Sequence, residues 1–143
     1  MRISDILRTK GSEVFTIAED ASIGDAVAEL ARHGVGALVV SSDGRTPNGI
    51  LSERDVVRYL AAEGDTDLGR SVGDLMTTVV RTCEPTATLD ETLAEMTDKR
   101  FRHLPVVEDG ALCGIVSIGD VVKLRLDELE HETDHLQTYI SGR

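Results

Sequence analysis

Residues 49–58 read GILSERDVVR and residues 114–123 read GIVSIGDVVK, so both follow the pattern G-I-x-S-x-x-D-V-V-basic. The match continues upstream, where ASIGDAVAELARHGVGALVVSSDG at 21–44 aligns with ATLDETLAEMTDKRFRHLPVVEDG at 87–110 at a constant offset of 66. That alignment pairs Ala21 with Ala87, Glu29 with Glu95, and Asp43-Gly44 with Asp109-Gly110. Beyond the Asp-Gly turn the offset becomes 65, which removes one residue from the first hairpin. The lead-ins agree as well, ISDIL at 3–7 before the first copy and VGDLM at 72–76 before the second. A shared pattern, a shared upstream helix and a shared turn argue against chance. A period near 65 is too long for the common solenoid repeats, so two small folds packed as a pseudo-twofold pair are the economical arrangement.

Periodicity supplies the elements of each copy. In Ser22 to His33 the apolar residues Ile23, Ala26, Val27 and Leu30 recur at helical spacing, and Leu89, Leu93 and Met96 do the same in Thr88 to Lys99. Ser22 and Thr88 are natural N-caps. Val35 to Val40 and His103 to Val107 are short runs rich in β-branched residues. Each is followed by an Asp-Gly turn and a second apolar run, Ile50-Leu51 or Leu112 to Val116. A short extended segment, Val14 to Ile17 or Val79 to Cys83, precedes each first helix. The expectation is an α/β (α+β) fold of two β-α-β-β-α repeats plus a C-terminal helix. The boundaries are 1–69 for the first repeat with its lead-in, 70–125 for the second, and 126–143 for an amphipathic tail.

Composition narrows the function classes. With 15 Lys and Arg against 26 Asp and Glu, the net charge of -11 opposes non-specific attraction to nucleic acid or an anionic membrane. An aromatic content of 3% leaves little material for base stacking. No apolar run is long enough to span a bilayer and the N-terminus lacks a secretory signal, so the expected location is cytoplasmic. Cys83 and Cys113 sit in no metal-ligand spacing and read as reduced, buried small hydrophobes.

The ordered pair of copies resembles tandem cystathionine-β-synthase (CBS) domains, two of which pack as a Bateman module. The resemblance rests on the paired β-α-β-β-α order, the endings at Ser52/Asp55 and Ser117/Asp120, the FRHLPVV run at 101–107 and the VGDLMT connector at 72–77, and it covers residues 1–125. It implies a regulatory module with no catalysis, binding AMP, ADP, ATP or NAD, with S-adenosylmethionine ranked lower, in two clefts between the copies. It also implies a disc-like homodimer acting on an unidentified regulated protein. Carried onto this chain, the resemblance makes Asp55 and Asp120 ribose binders, and Ser52 and Ser117 phosphate or sugar contacts.

It further makes Arg102 and His103 a phosphate-gripping pair for the second copy's cleft, with Arg54 doing the same for the first. Thr16 and Thr82 would approach the purine, with Ile17 and Cys83 as apolar walls. The residues' own chemistry fits: a carboxylate three positions after the hydroxyl can accept from both ribose hydroxyls, beside a helix N-terminus that favours phosphate. Each Ser-x-x-Asp also reads as an ordinary helix cap. Where the second copy has Arg-His-Leu-Pro, the first has Gly-Ala-Leu-Val at 36–39, so two unequal clefts are expected, with the basic pair missing from the first.

The tail KLRLDELEHETDHLQTYISGR carries Val122, Leu126, Leu129, Thr133, Leu136 and Ile140 at alternating spacings of 4 and 3, a coiled-coil seam. That stripe must pack on its own chain or on a second subunit, and a dimer contact is preferred. Within the tail, HETDH at 131–135 matches the H-E-x-x-H pattern of zinc proteases. The seam phase puts His131 and His135 on the charged outer face, whereas a zinc helix needs them facing a cleft with a third ligand. The leading expectation is therefore an adenine-nucleotide sensor. A dimeric interaction scaffold is the alternative, and a zinc hydrolase through HETDH the remote one.

Overall fold

A computed structural model describes residues 1–63, 67–79 and 81–142. The first copy contains β1 (Thr16–Ile17), α2 (Ile23–His33), β2 (Ala37–Val40), β3 (Gly49–Ser52) and α3 (Glu53–Glu63). The second contains α5 (Leu89–Lys99), β5 (His103–Glu108), β6 (Ala111–Ser117) and α6 (Ile118–Ser141). Before the copies stand α1 (Ile3–Lys10) and, in the connector, α4 (Val72–Leu75) with β4 (Thr77–Thr78). The expected lead-in strand over Val79 to Cys83 falls partly outside the described residues. Its end is a parallel bridge from Cys83 to Val106, the counterpart of β1 beside β2.

Local chemistry sets the element ends. Ser22 Oγ accepts from Asp25 N at 3.0 Å, and Thr88 and Glu91 exchange reciprocal bonds at 3.2 and 3.3 Å, so both first helices start at capped residues. Asp109 and Gly110 both have positive φ, 52° and 78°, the two-residue turn whose twist suits a hairpin, and β5 pairs antiparallel with β6 across it. The first hairpin is longer, and Asp43 Oδ1 organises it by accepting from Arg45 N at 2.8 Å and Thr46 N at 2.7 Å. These bonds hold the Asp43 carboxyl below the usual carboxylate range.

Two cores form, and neither follows chain order. The first joins Ile23, Leu30, Leu38, Leu51 and Tyr59 with Val72 of α4. The second joins Leu89, Met96, Leu104, Val106 and Val116 with Ile3 and Ile6 of α1. Each lead-in has crossed to the other copy. Backbone bonds secure the exchange: Ile3 N donates to Ala87 O at 2.9 Å and Ser4 N to Pro85 O at 2.9 Å, while Val72 N donates to Ala21 O at 2.8 Å and Gly73 N to Glu19 O at 2.9 Å. β4 then extends the first sheet to the order β1-β2-β3-β4.

The exchange explains the leading glycine of the repeated motif. A Cβ on Gly49 would lie 2.5 Å from Met76 Sδ, and one on Gly114 would lie 2.6 Å from Leu7 Cδ2. Met76 and Leu7 occupy matching places in the two lead-ins, so both glycines leave room for the same crossing contact.

The tail continues α6 without a break. Leu126, Leu136, Tyr139 and Ile140 remain 59–76% exposed, so this stripe does not pack on the chain's own body. Among the described residues no helix is long and apolar enough to cross a membrane.

Candidate functional site

Ser52 ends β3 and Asp55 lies in the first turn of α3, so strand and helix together fix this pair at the edge of the first sheet. Ser52 Oγ accepts from Asp55 N at 3.2 Å, while Asp55 Oδ2 accepts from Ser52 N at 2.9 Å and from the Ser52 hydroxyl at 3.0 Å. Ser117 and Asp120 repeat the arrangement at 3.1 and 2.8 Å. The capping role read from the sequence is therefore present in both copies. It occupies only Oδ2, so capping positions each carboxylate without exhausting it.

Asp55, Ser52 and Arg54 face a cleft whose opposite wall is Arg100, Phe101, Arg102 and His103 of the second copy. The expected placement of the basic pair needs correction here. Arg102 and His103 belong by sequence to the second copy, yet both line the cleft of the first copy's aspartate; His103 lines the second cleft as well, and both residues also border Ser117 and Ile118. The second cleft, beside Ser117, is walled instead by Gly34, Val35, Gly36 and Ala37 of the first copy. The two clefts are unequal in charge, in the opposite sense to that expected.

In the second cleft Lys10, at the end of α1, reaches Asp120 Oδ2 at 2.7 Å and Ile115 O at 3.1 Å. Burial alone would raise the Asp120 pKa, but the Lys10 ammonium and the Ser117 amide and hydroxyl outweigh it and hold the carboxyl below its ordinary value. His103 touches both clefts, lining one with Asp55 and the other with Lys10 and Ser117. Burial lowers its pKa, Lys10 adds to the effect, and Asp120 and Asp55 oppose it. Its surroundings thus favour the neutral imidazole.

The lead-in side chains that line the clefts stand one position before Thr16 and Thr82. Thr16 is exposed on β1, Ile17 is buried in the first core, Thr82 is exposed, and Cys83 is buried in the second core. None of these four is among the residues walling the two clefts, whereas their immediate predecessors are: Phe15 lines the Asp120 cleft and Arg81 the Asp55 cleft. Phe15 and Ile17 fall on the same side of an extended chain, and Phe15 also packs partly against the first core, so alternation alone does not separate cleft from core here. Phe15 stacks on His33 with ring centroids 3.6 Å apart, an aromatic wall that the sequence reading did not anticipate. Burial pushes the Cys83 thiol up to about 12, as befits a packed small hydrophobe.

Lys10, Arg58, Arg81 and Arg100 were likewise missed. Arg58 carried a signal, since it is the basic residue that closes the repeated ten-residue pattern. Lys10 carried none, because its place depends on the crossing of α1.

HETDH falls in the exposed part of α6. Among the described residues no group of three His, Cys, Asp or Glu side chains is placed to hold a metal ion.

Comparison with known proteins agrees with this architecture. The CBS domain model matches twice, at residues 3–62 and 72–127. The mitochondrial CBS domain-containing protein CBSX3 of Arabidopsis thaliana is 36% identical over 148 residues, covering 98% of this chain and 72% of that protein. A CBS-domain containing protein of Agrobacterium tumefaciens superposes with a TM-score of 0.80 at 45% identity, covering 87% of this chain and 99% of that one. A CBS domain protein of Pyrobaculum aerophilum, solved in complex with AMP, superposes with a TM-score of 0.73 at 28% identity over 84% of this chain and 89% of that one. Two copies of one β-α-β-β-α unit, each completed by the other's lead-in and matched by the same domain model, place this chain in the CBS domain family as a tandem CBS domain pair.

Proposed function

We propose that the chain is a regulatory sensor, a Bateman module spanning residues 1–125, that binds adenosine nucleotides in the two clefts between its copies and signals through their relative arrangement. The observation that carries this reading is the twice-built Ser-x-x-Asp junction, which leaves one oxygen of each carboxylate without a capping bond; Asp55 lines the first cleft, and Asp120 is bonded to Lys10, which lines the second with Ser117. A ribose diol donates to such an oxygen, and the neighbouring cations and helix N-termini suit a phosphate. The AMP complex of the Pyrobaculum aerophilum relative supports the ligand class.

Thermal denaturation against AMP, ADP, ATP, NAD and S-adenosylmethionine tests it. A ligand at 100 times its Kd adds about 2.7 kcal/mol to stability, a shift of several degrees for a chain of this size. Asp55→Asn and Asp120→Asn should each remove one binding event, weakening it about 10- to 100-fold, the worth of a charge-assisted bond. If every ligand at millimolar concentration left the transition unmoved, the scaffold reading would lead instead.

The module is further proposed to be a homodimer through α6. With Leu126, Thr133 and Ile140 at a and Val122, Leu129 and Leu136 at d, a parallel pairing sets Arg125 at g beside Glu130 at e of the partner helix. A full-length antiparallel pairing would face Glu130 and Glu132 with their own copies. Leu129→Glu combined with Leu136→Glu is expected to convert the dimer to monomer in sedimentation velocity with the two cores unchanged by circular dichroism. A dimer that persisted would place the interface elsewhere.

A further inference from the structure

Several wall positions of the two clefts correspond through the repeat, and three of the differences between them change the charge. Phe15, Gly34 and Gly36 beside the Asp120 cleft match Arg81, Arg100 and Arg102 beside the Asp55 cleft at the same offset of 66. Arg54 of the Asp55 cleft corresponds to Gly119 in the second motif. With Arg58, five of the chain's 15 Lys and Arg residues converge on one cleft of a protein whose net charge is -11. Among the described residues, Arg54, Arg58, Arg100 and Arg102 make no ion pair, and Arg81 reaches only Glu95, at 3.7 Å. Mutual repulsion disfavours such a gathering unless an anion fills it.

Arg100 adds an independent sign. It closes α5 in the left-handed conformation at φ 59°, and its counterpart Gly34 closes α2 at φ 64°. That backbone region suits glycine and strains a residue with a Cβ. The chain therefore carries a guanidinium at a helix end where local structure calls for glycine, as its counterpart has, on the rim of the arginine cleft. A cation kept against the backbone's preference points to a role outside folding.

We propose that the Asp55 cleft is specific for an adenosine polyphosphate, the nucleoside held by Asp55 and the added phosphates by Arg58, Arg81 and Arg100. The Asp120 cleft, with Lys10 in place of the arginines, is built for an adenosine ligand with at most one phosphate. Guanidinium forks bind phosphate oxygens in pairs, so each further phosphate finds a partner in the first cleft that the second lacks. This inference rests on the adenosine-binding reading above.

Isothermal titration with AMP, ATP and inorganic tripolyphosphate, without divalent cations and in an Asp120→Asn background so that one cleft reports, tests it. ATP is expected to bind about tenfold or more tighter than AMP, a preference that shrinks as added salt screens the charges. Arg100→Gly is the informative variant, because it relieves the left-handed strain. Its thermal midpoint should be equal or higher, while the ATP-over-AMP ratio falls about tenfold. Equal affinities for AMP and ATP, or a ratio unmoved by Arg100→Gly, would overturn the proposal and leave the adenosine sensor standing. Tripolyphosphate binding as tightly as ATP, with AMP not binding, would overturn both, since the cleft would then read only the polyanion.

Discussion

Truncating Ile3 to alanine is expected to destabilise the protein by about 2–5 kcal/mol, with the damage in the second copy's core. Ile3 is fully buried among Leu89, Met96, Leu104 and Val116, and its amide and that of Ser4 are bonded to Ala87 O and Pro85 O. The loss is large beside the roughly 5–15 kcal/mol that holds a typical domain folded. Native-state hydrogen exchange locates it: the amides of β5 and β6 should lose protection while those of β2 and β3 keep theirs. Val72→Ala should produce the mirror result, weakening the first sheet from a position at the start of the second lead-in. If Ile3→Ala instead exposed β2 and β3, the crossing of the lead-ins would be wrong, and with it the composition of both clefts.

Replacing Arg102 with alanine is expected to weaken nucleotide binding at the Asp55 cleft about 10- to 100-fold, and to leave binding at the Asp120 cleft within a few-fold. The asymmetry is the point of the measurement. By sequence Arg102 belongs to the second copy, but it stands with Ser52, Arg54 and Asp55 of the first. A loss confined to the Asp120 cleft would restore the placement read from the sequence.

His103 supplies a pH arm to the same experiment. Burial lowers its pKa below the ordinary histidine value of 6.5, so a phosphate placed beside it raises that pKa again and binding takes up a proton. Affinity should therefore rise as pH falls from 8 towards 6. The stability of the ligand-free protein runs the other way. The unfolded chain protonates this histidine first, so the stability gained from keeping it neutral is full above pH 6.5 and declines as pH falls through the window below it. His103→Gln should flatten the ligand's pH profile, because the amide cannot take up the proton.

Much of the architecture is legible in the sequence because it is local. Helix periodicity in 22–33 and 88–99, the caps at Ser22 and Thr88, the Asp109-Gly110 turn and both Ser-x-x-Asp junctions involve residues a few positions apart, and the duplication states them twice. The tail's apolar stripe is legible from helical phase, whereas its exposure on the chain's own body is a finding of the structure. Thr16 and Thr82 show the limit of that reasoning. β1 falls within the expected 14–17 segment, but which side chain there lines a cleft depends on how the copies pack, which periodicity does not carry.

What the sequence by itself determined is the unit: its elements, its repetition and the carboxylate each copy presents. Only the tertiary structure decided how the units combine. An internal repeat is equally compatible with each lead-in folding onto its own copy or crossing to the other, because the two lead-ins are alike and so are their docking surfaces, down to Gly49 and Gly114. The bond between residues 3 and 87, and the sharing of one cleft by residues 55 and 102, leave no trace in local periodicity. The crossing brings Lys10 to Asp120, and the packing of the two copies brings Arg102 to Asp55. The charge of each cleft is therefore a property of the assembled pair and belongs to neither repeat alone.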